Sequence, residues 1–121
     1  KYKINVGTNY MLGFPDETRE EIENTVNFAK KMKNYGLHHS NFYLVMPVPG
    51  TPIFDYCTKN GHLPLDYNPD RFQWTKANLS KTKVPPQELE KIRNEAWNSC
   101  NSVEFKNVRK SWQVRDNSKI K

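Results

Sequence analysis

A capped amphipathic helix lies between two strand-like runs, and this order decides most of what the chain can become. In TREEIENTVNFAKKMKNYG, Ile22, Val26, Ala29 and Met32 recur at spacings of four, three and three with charged residues between them, which is the period of one apolar helix face. Thr18 and Glu21 form a capping-box pair, and Glu20 and Glu21 stand at the positive end of the helix dipole. Lys30, Lys31 and Lys33 lie near the negative end before Gly36 stops the helix. Upstream, KINVGTNYMLG puts Ile4, Val6, Tyr10 and Leu12 on one parity and Asn5, Gly7 and Asn9 on the other. That alternation predicts a strand from Ile4 to Leu12 with one buried face, the other meeting something polar or close. Gly7 leaves room there for another backbone or a ligand. Downstream, Phe42 through Met46 are all apolar, predicting a strand buried on both faces until Pro47 ends the ladder. Strands joined through a helix pair in parallel by a right-handed crossover.

A second strand–helix unit completes the first half. Thr51 caps a short helix with Pro52 at its first position, and IFDYCTKNG closes it at Gly61. From His62 to Thr82 the chain is irregular, with Phe72 and Trp74 expected to anchor it to the core. A last helix is predicted from about Pro86, where Leu89, Ile92, Ala96, Cys100 and Val103 recur at helical spacing, and it is expected to cover exposed sheet or helix surface. The organisation is α/β, with strand–helix units over 1–61 and a loop, a covering helix and a basic tail over 62–121. Its 121 residues suffice for one domain.

Charge and cysteine usage narrow the function classes. The last sixteen residues hold Lys106, Arg109, Lys110, Arg115, Lys119 and Lys121 against one acid, Asp116, and account for most of the net charge of +6. With no glycine–arginine repeat and no aromatic series beyond Trp112, a solvated chain end is the favoured reading over a nucleic-acid contact. No apolar run reaches the ~20 residues of a membrane span, no signal-peptide block opens the chain, and a cytoplasmic protein is expected. Cys57 and Cys100 lack metal-ligand spacing and are read as buried thiols. His38 and His39 are read as a surface turn.

The two strand-to-helix turns carry the functional question. In a parallel α/β sheet, ligands bind beyond the carboxyl ends of the strands. LGFPDET and MPVPGTP are the two turns at that end. Gly13 lets backbone approach closely, Pro15 stiffens the first turn, and Glu17 can accept hydrogen bonds from a ligand or from the backbone around it. The residues alone leave two readings level: ligand-binding loops, or well-made strand-to-helix connections.

MLGFPDETREEIENTVNFAKKM followed by NFYLVMPVPGTPIFDYC resembles the second half of the radical S-adenosylmethionine barrel, over roughly Ile4 to Cys57. It looks most like the cobalamin-binding branch that includes magnesium-protoporphyrin IX monomethyl ester oxidative cyclases. The resemblance implies a partial TIM-like barrel of parallel strands with flanking helices, of which this chain is the C-terminal portion, plus a C-terminal helix. It implies that Leu12, Gly13 and Phe14 lie near the adenine of S-adenosylmethionine, with Glu17 in the same turn and Met46 and Pro47 at the end of the next strand. It also implies a [4Fe–4S] cluster, and cobalamin as a further cofactor in that branch. Two departures stand out. Asp16 replaces the usual glycine, which puts the turn's conformation in question. The CxxxCxxC loop that holds the cluster is absent, and Lys1 begins abruptly before a strand, as if cut from a longer protein. This chain alone is therefore expected to be inactive, and its partners to be the remainder of the parent barrel and a small-molecule substrate. Self-association through exposed strand edges is a further expectation. Two other classes compete: a tRNA-modifying radical enzyme that uses the basic tail, and a non-catalytic α/β binding module.

Overall fold

The parallel pair expected from the strand–helix–strand order is present. A computed structural model describes residues 4–110. Its elements are β1 (Gly7–Leu12), α1 (Arg19–Asn34), β2 (His39–Leu44), α2 (Pro52–Asn60) and α3 (Pro86–Cys100), with a 3-10 turn at Pro69–Arg71 and a helical stretch over 103–110. β1 and β2 lie side by side in one sheet, Gly7 opposite His39 and Leu12 opposite Leu44. The described residues form a mixed α/β unit on a two-stranded sheet, and no barrel wall is seen among them.

Local chemistry sets the helix ends. Thr18 Oγ1 accepts from the Glu21 N–H at 3.2 Å, and the Glu21 carboxylate accepts from the Thr18 N–H at 2.8 Å, closing the capping box. Thr51 caps α2 by accepting from the Phe54 N–H at 3.3 Å. Both strands are shifted from their expected bounds. β1 starts at Gly7, and Ile4 and Val6 are 67% and 45% exposed. β2 starts at the polar run His39–Ser40–Asn41 and ends at Leu44 rather than Met46. Its ladder begins where it has partners, whatever the polarity of the side chains. His39 thus opens a strand instead of sitting in a turn, and its ring fills the space over Gly7: a Cβ there would stand 2.0 Å from His39 Nε2. His38 is exposed, and its Nδ1 accepts from the Val6 N–H.

Burial on both faces of β2 is not observed. Leu12, Phe42 and Leu44 are buried against Ile22 and Ala29 of α1 and Leu89, Ala96 and Cys100 of α3. The other face, with Asn9, Met11, Asn41 and Tyr43, is exposed or half-buried. Alternation follows because α1 and α3 both cover the same side. The core draws on residues before and after position 61. α3 has the expected start and apolar face, but it stops at Cys100, and Val103 is 70% exposed.

The anchors of the 62–82 segment also differ from expectation. Trp74 is 53% exposed and meets Tyr43 edge-on, and Phe72 is half-buried against Tyr67. Leu79 is the buried residue, packed with Val45 and Cys57. What Trp74 contributes to the sheet is its carbonyl, which accepts from the Leu44 N–H at 2.8 Å. This contact is one of several that close the outer edge of β2. The Asn101 amide accepts from the Ser40 N–H at 2.9 Å and donates to the Ser40 carbonyl at 2.8 Å, and Arg93 Nε donates to the Phe42 carbonyl at 2.8 Å. Side chains thus do for this edge what a neighbouring strand would. β1, by contrast, has no strand on its far side among the described residues.

Among the described residues, no helix is long and apolar enough to cross a membrane. Lys106, Arg109 and Lys110 lie in the helical stretch 103–110. Trp112, Arg115, Asp116, Lys119 and Lys121 lie outside the described residues.

Candidate functional site

Parallel pairing sends both turns to the same end of the sheet. The first leaves Leu12, whose carbonyl still accepts from the Val45 N–H at 3.1 Å, so the two chains separate only beyond that point. Gly13 then takes φ +87°, a conformation costly for any residue with a Cβ. The space a Cβ would need is occupied by α3, with Leu89 Cδ1 at 3.2 Å. The close approach that Gly13 permits is therefore helix packing. Glu17 ties the turn together: one oxygen accepts from the Gly13 N–H at 2.7 Å and the Phe14 N–H at 3.1 Å. Of the two roles open to Glu17, its own backbone takes this one. Asp16 sits at negative φ, since Lys81 is the only non-glycine residue with positive φ among those described. The aspartate in place of glycine therefore carries no left-handed strain, and its carboxylate accepts from the Tyr56 hydroxyl on α2.

The second turn is held from below. Pro47 is fully buried, and its carbonyl accepts from the Tyr67 hydroxyl at 2.8 Å. Thr51 Oγ1 donates to the Val48 carbonyl at 2.6 Å while capping α2. Met46 is half-buried.

Between the first turn, the start of α1 and α2 lies an open cavity of about 560 Å³. Phe14, Glu17 and Glu21 line it, with Asp16, Ile53 and Tyr56. Of the residues expected at the site, Phe14 and Glu17 reach this cavity. Leu12 and Gly13 are buried in the core packing, and neither Met46 nor Pro47 lines the cavity. Asp16 and Tyr56 were missed because their contact spans forty residues and leaves no periodic trace. Each of the three carboxylates uses one oxygen in the contacts above, leaving the second without a hydrogen bond among the described residues. The wall is thus acidic with two aromatic rings, and Phe14 is 42% exposed.

Burial, the largest influence, pushes the Glu17 carboxyl above its ordinary value of 4.5 despite the two N–H donors, and the neighbouring Glu21 charge adds to it. A raised value in the folded state means that the native protein binds this proton more tightly than the unfolded chain. The stability it contributes is complete below pH 4.5 and is lost as pH rises through the raised value. Glu17→Gln should remove that slope from urea-unfolding measurements made across this window. An unchanged slope would show that Glu17 does not cause it. Asp16 holds the Tyr56 hydroxyl above its ordinary range.

Cys57 and Cys100 are free, buried and in separate core clusters, and burial pushes both thiols up. No group of three metal-ligating side chains converges among the described residues.

Over 63 residues, 52% of this chain, the sequence is 38% identical to an uncharacterized methyltransferase of Pyrococcus horikoshii. The chain spans only 13% of that protein's length. No family model matches the chain. No solved structure matches it either.

Proposed function

We propose that this chain is the C-terminal part of a radical S-adenosylmethionine methyltransferase, and that the cavity beside Phe14 receives the cofactor. One observation carries the reading: the glycine–proline turn after β1 and the helix after the second turn enclose a cavity walled by three carboxylates and two exposed rings, Phe14 and Tyr56. S-adenosylmethionine carries a sulfonium and an ammonium group beside a flat adenine. The free oxygens of Asp16, Glu17 and Glu21 suit the cations, and Phe14 suits the ring. When bound, the cofactor supplies an electrophilic methyl group and the source of the radical chemistry, while these side chains bind and orient it. The resemblance of both turns to the radical family and the methyltransferase-like match point the same way. Of the two activities of the cobalamin-binding branch, that match favours methyl transfer over ring formation.

The cluster does not fit this chain. Two buried thiols in separate clusters offer no open set of ligands, and cobalamin has no ligand here that we can name. In this reading the thiolates come from elsewhere in a longer cytoplasmic polypeptide. The far edge of β1 is where its remaining strands would add, since the edge of β2 is already closed.

Saturation-transfer NMR on this chain tests the proposal. Adenine protons of S-adenosylmethionine should receive saturation with weak, roughly millimolar affinity. S-adenosylhomocysteine, which lacks the sulfonium charge, should bind about fivefold more weakly, as one exposed charge contact of ~1 kcal/mol requires. Asp16→Asn should narrow that difference. Equal binding of the two compounds would remove the role of the acidic wall, and tight stoichiometric binding would contradict the view that this is only part of the site.

A further inference from the structure

Arg93 and Arg109 come together on the open side of β2 with no carboxylate beside them among the described residues. Arg93, from α3, donates Nε to the Phe42 carbonyl and one terminal nitrogen to Asn94 at 2.9 Å. Arg109, from the helical stretch 103–110, donates to Asn41 Oδ1 at 2.9 Å, and Asn41 donates in turn to Asn9 Oδ1 at 3.2 Å. These contacts use only part of the donor fork that each guanidinium presents. Neither arginine has an ion pair among the described residues, whereas Arg19, Lys76 and Lys91 are each paired with a glutamate. Both arginines are half-buried and line an open groove of about 760 Å³, and the same two line an adjoining pocket of about 220 Å³. Among the described residues, no acidic side chain lines either space. Burial lowers the Arg93 pKa, and the neighbouring Arg109 charge lowers it further. The groove is also lined by the rings of Tyr43, Phe72 and Trp74, of which Trp74 is exposed and stands edge-on to Tyr43.

Two like charges held half-buried with no counter-ion among the described residues are unfavourable until an anion joins them. A bidentate oxyanion matches the unused donors, and the aromatic wall matches a flat body attached to it. We propose that this groove binds a small molecule bearing a carboxylate or phosphate on a flat ring. The site favours one small anion over a nucleic-acid backbone because, of the two lysines that line the smaller pocket, Lys106 spends its ammonium on the Asn98 carbonyl at 2.7 Å and over the Trp97 ring, which leaves Lys110 as the one further cation there among the described residues. Among the described residues, the groove shares no lining residue with the cavity beside Phe14, so the proposal stands apart from the methyltransferase reading.

The test titrates the ¹⁵N-labelled chain with benzoate, phenyl phosphate and the neutral benzamide. Both anions should shift the signals of Asn41, Tyr43 and the Trp74 indole, with benzamide at least about tenfold weaker, the factor expected from losing charge-assisted hydrogen bonds. Arg109→Gln should weaken both anions about tenfold, while Lys59→Gln on exposed α2 should leave them unchanged. If Arg109→Gln fails to fold, the map of shifts and the benzoate-to-benzamide ratio on the unaltered chain still decide. Equal binding of benzoate and benzamide overturns the proposal, and so do shifts elsewhere on the chain. Displacement of both anions by a single-stranded RNA, with affinity falling steeply in salt, overturns it too, because the surface would then be a polyanion site.

Discussion

Phe42→Ala should cost about 3–5 kcal/mol of folding stability, the range for removing a fully buried aromatic ring. Phe42 is wholly inaccessible, stacks on Tyr10 at a centroid distance of 5.1 Å, and belongs to the core shared by both strands, α1 and α3. Arg19 of α1 pairs with Glu88 of α3, and Arg93 of α3 and Asn101 just beyond it are hydrogen-bonded to β2, so the site has little freedom to collapse around the missing ring. A domain of this size has only about 5–15 kcal/mol to lose. Urea unfolding should show a large fall in midpoint with an unchanged slope. A loss under about 1 kcal/mol would mean that the ring is not packed as described.

Asn101→Ala should have the next largest effect, and through a different mechanism. The side chain is 3% exposed and satisfies three backbone groups: the Ser40 N–H, the Ser40 carbonyl and the Trp97 carbonyl. Each buried group left without a partner costs about 1–3 kcal/mol, and water entering the gap would offset part of the sum. A loss of roughly 2–4 kcal/mol is expected on that basis. The substitution also opens the edge of β2, so sedimentation velocity should show concentration-dependent association that the unaltered chain lacks through this edge. A variant as stable and as monodisperse as the parent would mean that the edge needs no plug.

Asn101 also illustrates what could be read in advance. The α1 caps and apolar face involve residues three and four apart, and the same holds for Thr51 on α2, so local spacing revealed them. Parallel pairing followed from the order of elements. The start of β2 was hidden because His39, Ser40 and Asn41 carry polar side chains, and only pairing with Gly7, Thr8 and Asn9 makes them a strand. The open face of β2 was hidden for a related reason: a run of apolar residues does not reveal that both covering helices choose one side. At the turns, Phe14 and Glu17 were legible as loop residues at the carboxyl end of a strand. Gly13 was legible as a close approach, but not as an approach by Leu89 from seventy-six positions away. Asn9 was signalled by the polar parity of β1. Tyr56, Arg93 and Arg109 gave no local sign, since their partners Asp16, Phe42 and Asn41 come from distant segments.

The central claim, that the turn after β1 is a cofactor-facing surface, is tested most directly by a ¹H–¹⁵N titration of this chain with S-adenosylmethionine. The account predicts progressive shifts at Gly13, Phe14 and Glu17 and at Ile53 and Tyr56 across the cavity, saturating at millimolar concentrations, with Asn41 and Tyr43 undisturbed. Shifts confined to the arginine groove, or no shifts at those concentrations, would contradict it.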